Sequence, residues 1–265
     1  HYSPLALQCA VSTSCNSFFC YGLNHMLSNR KKYTSVASAL DVWRDYMVNM
    51  GFGYRLGVDL PSENRGFIPN SKFYTNVYKT DRWNAHYIIS IAIGQGEVLS
   101  TPLQIANLGA LIANRGYYFT PHVVRERKGE PLETKYTQRH ESGVDKEHFE
   151  PVIAGMADAV SQGTAWGANL APDVEVCGKT GTSQNPHGDD HSLFLGFAPR
   201  DNPRVAIAVL VENGRWGATN AVPIARLMLQ KFFHGEVPES DKWLETMIIE
   251  RQILPYFYTR NLPAN

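Results

Sequence analysis

Apolar residues recur at helical spacing through most of the chain, then give way near residue 174 to short alternating or continuous runs. Residues 3–31 open with Ser-Pro and read as helical, with Phe18, Phe19, Leu23 and Leu27 on one face and Arg30, Lys31 and Lys32 at the basic end. A second amphipathic helix is expected over 35–50, carrying Leu40, Val42, Trp43 and Met47, and Gly51-Phe52-Gly53 stops it. Residues 51–84 are rich in Gly, Pro, Asn and Ser and read as a long irregular loop. The run Ile88–Ile93 follows, broken by Gly94-Gln95-Gly96. Thr101 suits a helix N-cap and Pro102 the first turn of a helix that reaches Asn114-Arg115-Gly116. Residues 125–147 are polar and read as a surface excursion, and a helix is expected near 148–163. Val174–Cys177, Ser192–Phe197 and Val205–Val211 are strand-like, with turn residues between them. A last amphipathic helix spans about 221–234, and the tail reads as helical around Trp243–Ile253 and irregular beyond. Helices, then three adjacent strands, then a helix predict an antiparallel meander packed under helices.

Composition narrows this picture without redirecting it. The 265 residues suit one large α/β domain or two modest ones, and 43% hydrophobic with 19% charged side chains is ordinary for a packed core. Acidic and basic residues balance at 25 each, so no basic surplus points to nucleic acid. No apolar run reaches the ~20 residues that a membrane-spanning helix needs. The first residue is His1 rather than Met, so the start reads as a boundary or cleavage point, and the lack of an anchor here says nothing about the parent protein. Cys9, Cys15, Cys20 and Cys177 match no zinc or CxxC spacing and read as buried or free thiols.

The strongest chemical signal is Lys179-Thr180-Gly181-Thr182, directly after a strand-like run. On an edge strand, the glycine leaves room for a substrate backbone to pair. Lysine and threonine supply positive field and hydroxyl donors for a carboxylate. A lone Lys-Thr-Gly also fits a surface turn. The second signal is Ser14-Cys15-Asn16, which alone reads as helix capping. Ser-x-Asn followed about 160 residues later by Lys-Thr-Gly is the order found in penicillin-interacting serine enzymes. His187-Gly188-Asp189-Asp190-His191 reads as a hairpin loop rather than a metal loop, and Gly94-Gln95-Gly96 as a tight turn rather than a nucleotide loop. No metal or cofactor is expected.

Five stretches carry a family resemblance: Ser12–Phe19, Ile93–Gly96 with Thr101–Gln104, Gly178–Thr182, Gly196–Pro199 and Val209–Gly214. In their order and spacing the chain resembles class B penicillin-binding proteins of the penicillin-binding protein 2 group, over about residues 3–234. The resemblance implies the penicillin-binding transpeptidase, β-lactamase-like α/β (α+β) fold with its N-terminal strands missing. Residues 1–235 would be the C-terminal part of the transpeptidase domain and 236–265 a partly helical tail. It also implies cross-linking of peptidoglycan stem peptides through a serine acyl-enzyme that β-lactams inhibit. The location would be the periplasmic face of the cytoplasmic membrane, beside wall-elongation membrane proteins.

By residue, the resemblance gives Ser14 a proton relay, Asn16 the substrate amide and Lys179 the tuning of that network. Thr180 and Thr182 would hold the substrate or β-lactam carboxylate across Gly181, and the Thr182 N–H would be one oxyanion-hole donor. The family nucleophile sits in a Ser-x-x-Lys upstream of Ser-x-Asn, and residues 1–13 contain none, so this chain alone is expected to be inactive. Ser28-Asn29-Arg30-Lys31 has the pattern but lies downstream, at the basic end of a helix. Three of the family's five strands would remain, about 172–184, 191–199 and 204–213, with the edge of the last covered by another chain, the tail or another piece of the protein. Alternatives are a D,D-carboxypeptidase, in which water replaces the acceptor amine, and a non-catalytic sensor domain that shares the fold.

Overall fold

The computed structural model describes residues 4–126 and 128–252. The chain divides into two compact units: Cys15–Glu150 belongs to the first, while Ala6–Ser14 joins the chain from Pro151 onward in the second.

In the first unit, α2 (Asn16–Leu27) packs against both α3 (Val36–Asn49) and the 3₁₀ stretch Ala85–Ile93. Their apolar faces meet in a core around Leu27, Leu40, Tyr74, Trp83 and Ile88. Helix α3 starts at a capping box made by Ser35 and Ser38, and Gly51 and Gly53, at φ 99° and 79°, turn the chain away after it. The supposed loop 51–84 contains a helix, α4 (Ser71–Tyr78), capped by the Asn70 side chain. Its Ser71 backbone and hydroxyl are tied to Asp41 of α3, a long-range support that local composition does not reveal. The apolar run from Ile88 is 3₁₀ helix ending at Gly94. Helix α5 (Pro102–Ala113) begins at the expected Thr101 cap, with Gln104 closing the box. The polar excursion is more ordered than expected: β1 (Tyr117–Phe119) pairs antiparallel with β2 (Arg139–Glu141), and α6 (Thr134–Thr137) lies between them.

The second unit carries the meander. Strands β3 (Cys177–Ser183), β4 (His191–Ala198) and β5 (Val205–Val211) pair antiparallel in the order β3-β4-β5. Central β4 is buried along most of its length, as a strand with a neighbour on each edge should be. Helices α7 (Glu150–Ser161) and α8 (Ala221–His234) supply Ala159, Val160, Val222, Ala225 and Leu229 to a core shared with Phe194, Ile207 and Val209. Val174 and Val176 are buried in that core but precede the strand, so β3 begins three residues later than the apolar run suggested. The single helix expected over 3–31 is two. A short helix, α1 (Leu7–Ser12), ends before Ser14, which sits in left-handed backbone at φ 55°, and α2 starts at Asn16.

Helix α9 (Lys242–Glu250) covers part of the expected tail helix, while Ile253 and the irregular end lie outside the described residues. Arg226 and Gln230 of α8 both reach Asp241 at its start. Burial acts to raise the Asp241 carboxyl, but the hydrogen bonds from Arg226 and Gln230 outweigh it and hold the group below its usual range. Among the described residues, β5 has β4 as its sheet partner and no strand on its far edge. No helix among them is long and apolar enough to cross a membrane.

The register sets Gly178 opposite Gly196, and both leave room for one ring. A Cβ at Gly178 would come within 2.4 Å of the fully buried Phe194 ring, and one at Gly196 within 2.7 Å. Gly178→Ala is therefore expected to cost about 1–3 kcal/mol by overpacking. The melting temperature should fall by about 2–4 °C per kcal/mol, and Gly178→Ala with Phe194→Leu should recover part of the loss. Thermal denaturation checks both; an unchanged midpoint in the single variant would show that the ring is not held in place.

Candidate active site

Strand β3 is an edge strand, and the Lys-Thr-Gly-Thr sequence lies on its half-buried part, after the buried Cys177 and Gly178. Pairing of Lys179 with Leu195 and Thr180 with Phe194 anchors the strand from one side. The Lys179 amine reaches Ser14 and donates to its Oγ at 2.7 Å, and to the Thr180 carbonyl at 2.8 Å. Burial pushes the Lys179 amine down from 10.5 to about 8, because removal from water penalises the cation.

Ser14 does not cap α2; Cys15 occupies the cap position and its side chain makes no cap bond. The left-handed backbone at Ser14 is uncommon for a residue with a Cβ, and such positions cluster at functional sites. It takes the chain off the end of α1, where the Ser14 N–H still bonds the Val11 carbonyl at 3.2 Å.

The threonines beyond Lys179 have partners that no motif announces. Thr180 Oγ1 donates to Thr164 Oγ1 at 3.0 Å. Thr182 Oγ1 accepts a long contact, 3.4 Å, from the Gly217 N–H. Gly217 must be glycine for close approach, since a Cβ there would lie 2.5 Å from the Gly181 carbonyl. Buried Ser192, opposite Thr182 in the register, donates to the Trp216 carbonyl and accepts from the Ala221 N–H. Asn220 donates to the Gly214 carbonyl, so the whole 214–221 turn is pinned on β3 and β4. The turn signals at Gly214 and Gly217 are visible in the sequence, but their landing place is not.

The 184–190 hairpin is stapled to the same turn. Asn185 bonds Asp190 and Asn213, and Arg215 meets Asp189. His191 Nδ1 accepts from the Asn213 N–H at 3.0 Å, and His187 lies in the hairpin. Among the described residues no three His, Cys, Asp or Glu side chains cluster as metal ligands.

Of the residues named from sequence, Ser14, Lys179, Thr180, Gly181 and Thr182 come together in the second unit. Asn16 opens α2, is exposed and belongs to the first unit. Ser28 is the exposed C-cap of α2, with Arg30 bonding the Leu27 carbonyl, so the downstream Ser-x-x-Lys is a helix terminus. None of the four cysteines, all among the described residues, forms a disulfide; Cys15 and Cys177 are buried.

Comparison with known proteins places this geometry in context. A family described as the penicillin binding protein transpeptidase domain matches residues 2–230. The chain is 34% identical over 231 residues to the peptidoglycan D,D-transpeptidase MrdA of Acinetobacter baumannii, covering 80% of this chain and 32% of that protein. It is 29% identical to MrdA of Haemophilus influenzae, covering 77% of this chain and 34% of that one. The chain thus spans about a third of the length of the curated relatives it matches. Among solved structures, Pseudomonas aeruginosa PBP2 in complex with WCK 5153 matches 89% of this chain and 50% of that chain at TM-score 0.73 and 28% identity. Helicobacter pylori PBP2 in its complex with MreC matches at TM-score 0.69 and 26% identity, over 87% of this chain and 40% of that one.

The lowered Lys179 pKa has a sign that can be measured. Below about pH 8 both folded and unfolded chains hold the proton, and the folded chain bears the full cost of a buried cation. Between about 8 and 10.5 the folded chain has released it while the unfolded chain retains it, so stability rises with pH. Denaturant unfolding across this window should show the wild type gaining on Lys179→Met as pH rises. A constant difference between the two would contradict the buried amine.

Proposed function

Because the chain belongs to the penicillin binding protein transpeptidase domain family, we propose that it forms part of a peptidoglycan D,D-transpeptidase that cross-links stem peptides through a serine acyl-enzyme and is acylated by β-lactams. The observation that carries this reading is the Lys179–Ser14 hydrogen bond, made between residues 165 positions apart. An amine brought near neutrality and held on a hydroxyl is suited to moving a proton.

In this reading Ser14 passes a proton between the lysine base of the nucleophile motif and the leaving amine. Lys179 sets the field at that hydroxyl, and Asn16 holds the substrate amide. Thr180 and Thr182 hold the terminal carboxylate, Gly181 leaves room for the peptide to pair along β3, and the Thr182 N–H serves the oxyanion. The nucleophile belongs to a Ser-x-x-Lys outside these 265 residues, since the Ser28 motif is a solvated helix end. The protein would act at the periplasmic face of the cytoplasmic membrane, in wall growth and cell shape. Its partner would be a membrane protein of the elongation machinery, as PBP2 of Helicobacter pylori is found with MreC.

Turnover of a D-Ala-D-Ala stem peptide by the full-length protein, with and without an acceptor amine, tests the activity. Transfer to the amine supports transpeptidation, and hydrolysis alone in its presence overturns it in favour of carboxypeptidation. Lys179→Ala in the full-length protein should slow penicillin acylation on the order of a hundredfold or more; an unchanged rate would remove Lys179 from the site. The 265-residue chain alone should give no band with fluorescent penicillin on a denaturing gel, whereas a labelled band would return Ser28 to consideration.

A further inference from the structure

Thr164 lies outside the Ser-x-Asn and Lys-Thr-Gly motifs, yet its hydroxyl is the partner of Thr180. Its position is built rather than incidental. A Cβ at Gly163 would meet both the Ala159 Cα and the Ser12 carbonyl at 2.7 Å, so the chain here is clamped between α7 and the end of α1. Ala165, on the other side, is fully buried and its N–H bonds the Ala159 carbonyl at 2.8 Å. Thr164 itself is exposed, so packing does not explain the residue. The clamp falls two residues before Ser14. The same joint therefore delivers one hydroxyl to Lys179 and another to the adjacent Thr180.

We propose that Thr164 is a positioning residue that aims the Thr180 hydroxyl at the substrate carboxylate. The inference rests on the reading of Thr180 as a carboxylate-holding group. A hydroxyl has one proton and can rotate it freely, and an ionised carboxylate only accepts. In the structure Thr180 gives its proton to Thr164. When a carboxylate arrives, Thr180 must turn its proton toward it, and Thr164 can then reverse and donate to Thr180 Oγ1. Both hydroxyls stay satisfied, and the second bond polarises the first. A valine at 164 keeps the shape and removes this donor.

The test uses the full-length protein and two probes, benzylpenicillin and its methyl ester, each competing with fluorescent penicillin. Thr164→Val should lower the acylation efficiency of the acid about tenfold, and that of the ester by much less. The loss should fall on the binding constant rather than on the acylation rate constant, and Thr164→Ser should restore most of it. The acid-to-ester ratio does not depend on how much of a preparation is folded, and Thr164→Ala can replace the valine variant if that accumulates poorly. An unchanged ratio in Thr164→Val, with Thr180→Val lowering it, overturns the role of Thr164 alone. A wild-type protein that treats acid and ester alike, or a Thr180→Val variant that keeps the ratio, overturns the carboxylate reading beneath it.

Discussion

A primary amine withdrawn from water costs free energy, and in this protein the Lys179 amine is withdrawn and held between the Ser14 hydroxyl and the Thr180 carbonyl. Much of the second unit can be understood as what makes that arrangement possible. The strand that carries Lys179 is fixed by its register with β4 and by the Phe194 ring seated over Gly178 and Gly196. The hydroxyl it meets is delivered by a left-handed residue at the end of a short helix, itself packed on α7. Loosening any of these supports would let water reach the amine and return it toward its ordinary basicity.

Around this pair the second unit arranges hydroxyls and backbone N–H groups rather than opposing charges. Thr180 leans on Thr164, Thr182 meets the Gly217 N–H, and Ser192 holds the Trp216–Ala221 turn in place. Neutral donors fixed by covalent and packing constraints need little reorganisation when an anion arrives. The hairpin and turn that flank β3 are bonded to each other through Asn185, Asn213 and Arg215. The loops beside the strand are thus part of a supported structure rather than free segments.

Elements set by local rules were legible in the residues. The Thr101-Pro102 start of α5, the glycine stop after α3, the α8 span and the three-strand meander all follow from caps, turn residues and periodicity within a few positions. Elements that depend on distant partners were not. Helix α4 relies on Asp41, β2 exists because β1 pairs with it, and Val174 and Val176 are buried in the core without joining the three-stranded sheet. The break between α1 and α2 is another such case, since apolar spacing runs across it while the backbone at Ser14 turns to meet Lys179.

The sequence by itself determined the helical and strand periodicities, the edge-strand Lys179–Thr182 run, and the family to which its motifs point. Local rules alone read Ser14 as a helix cap, and only its pairing with the distant Lys-Thr-Gly singled it out; Thr164 had no signal, because capping and turn preferences act over a few residues. Only the tertiary structure decided which hydroxyl each β3 side chain meets. Those contacts join positions 165 and 16 apart, and they arise where α1, α7 and β3 are packed against one another at van der Waals distance.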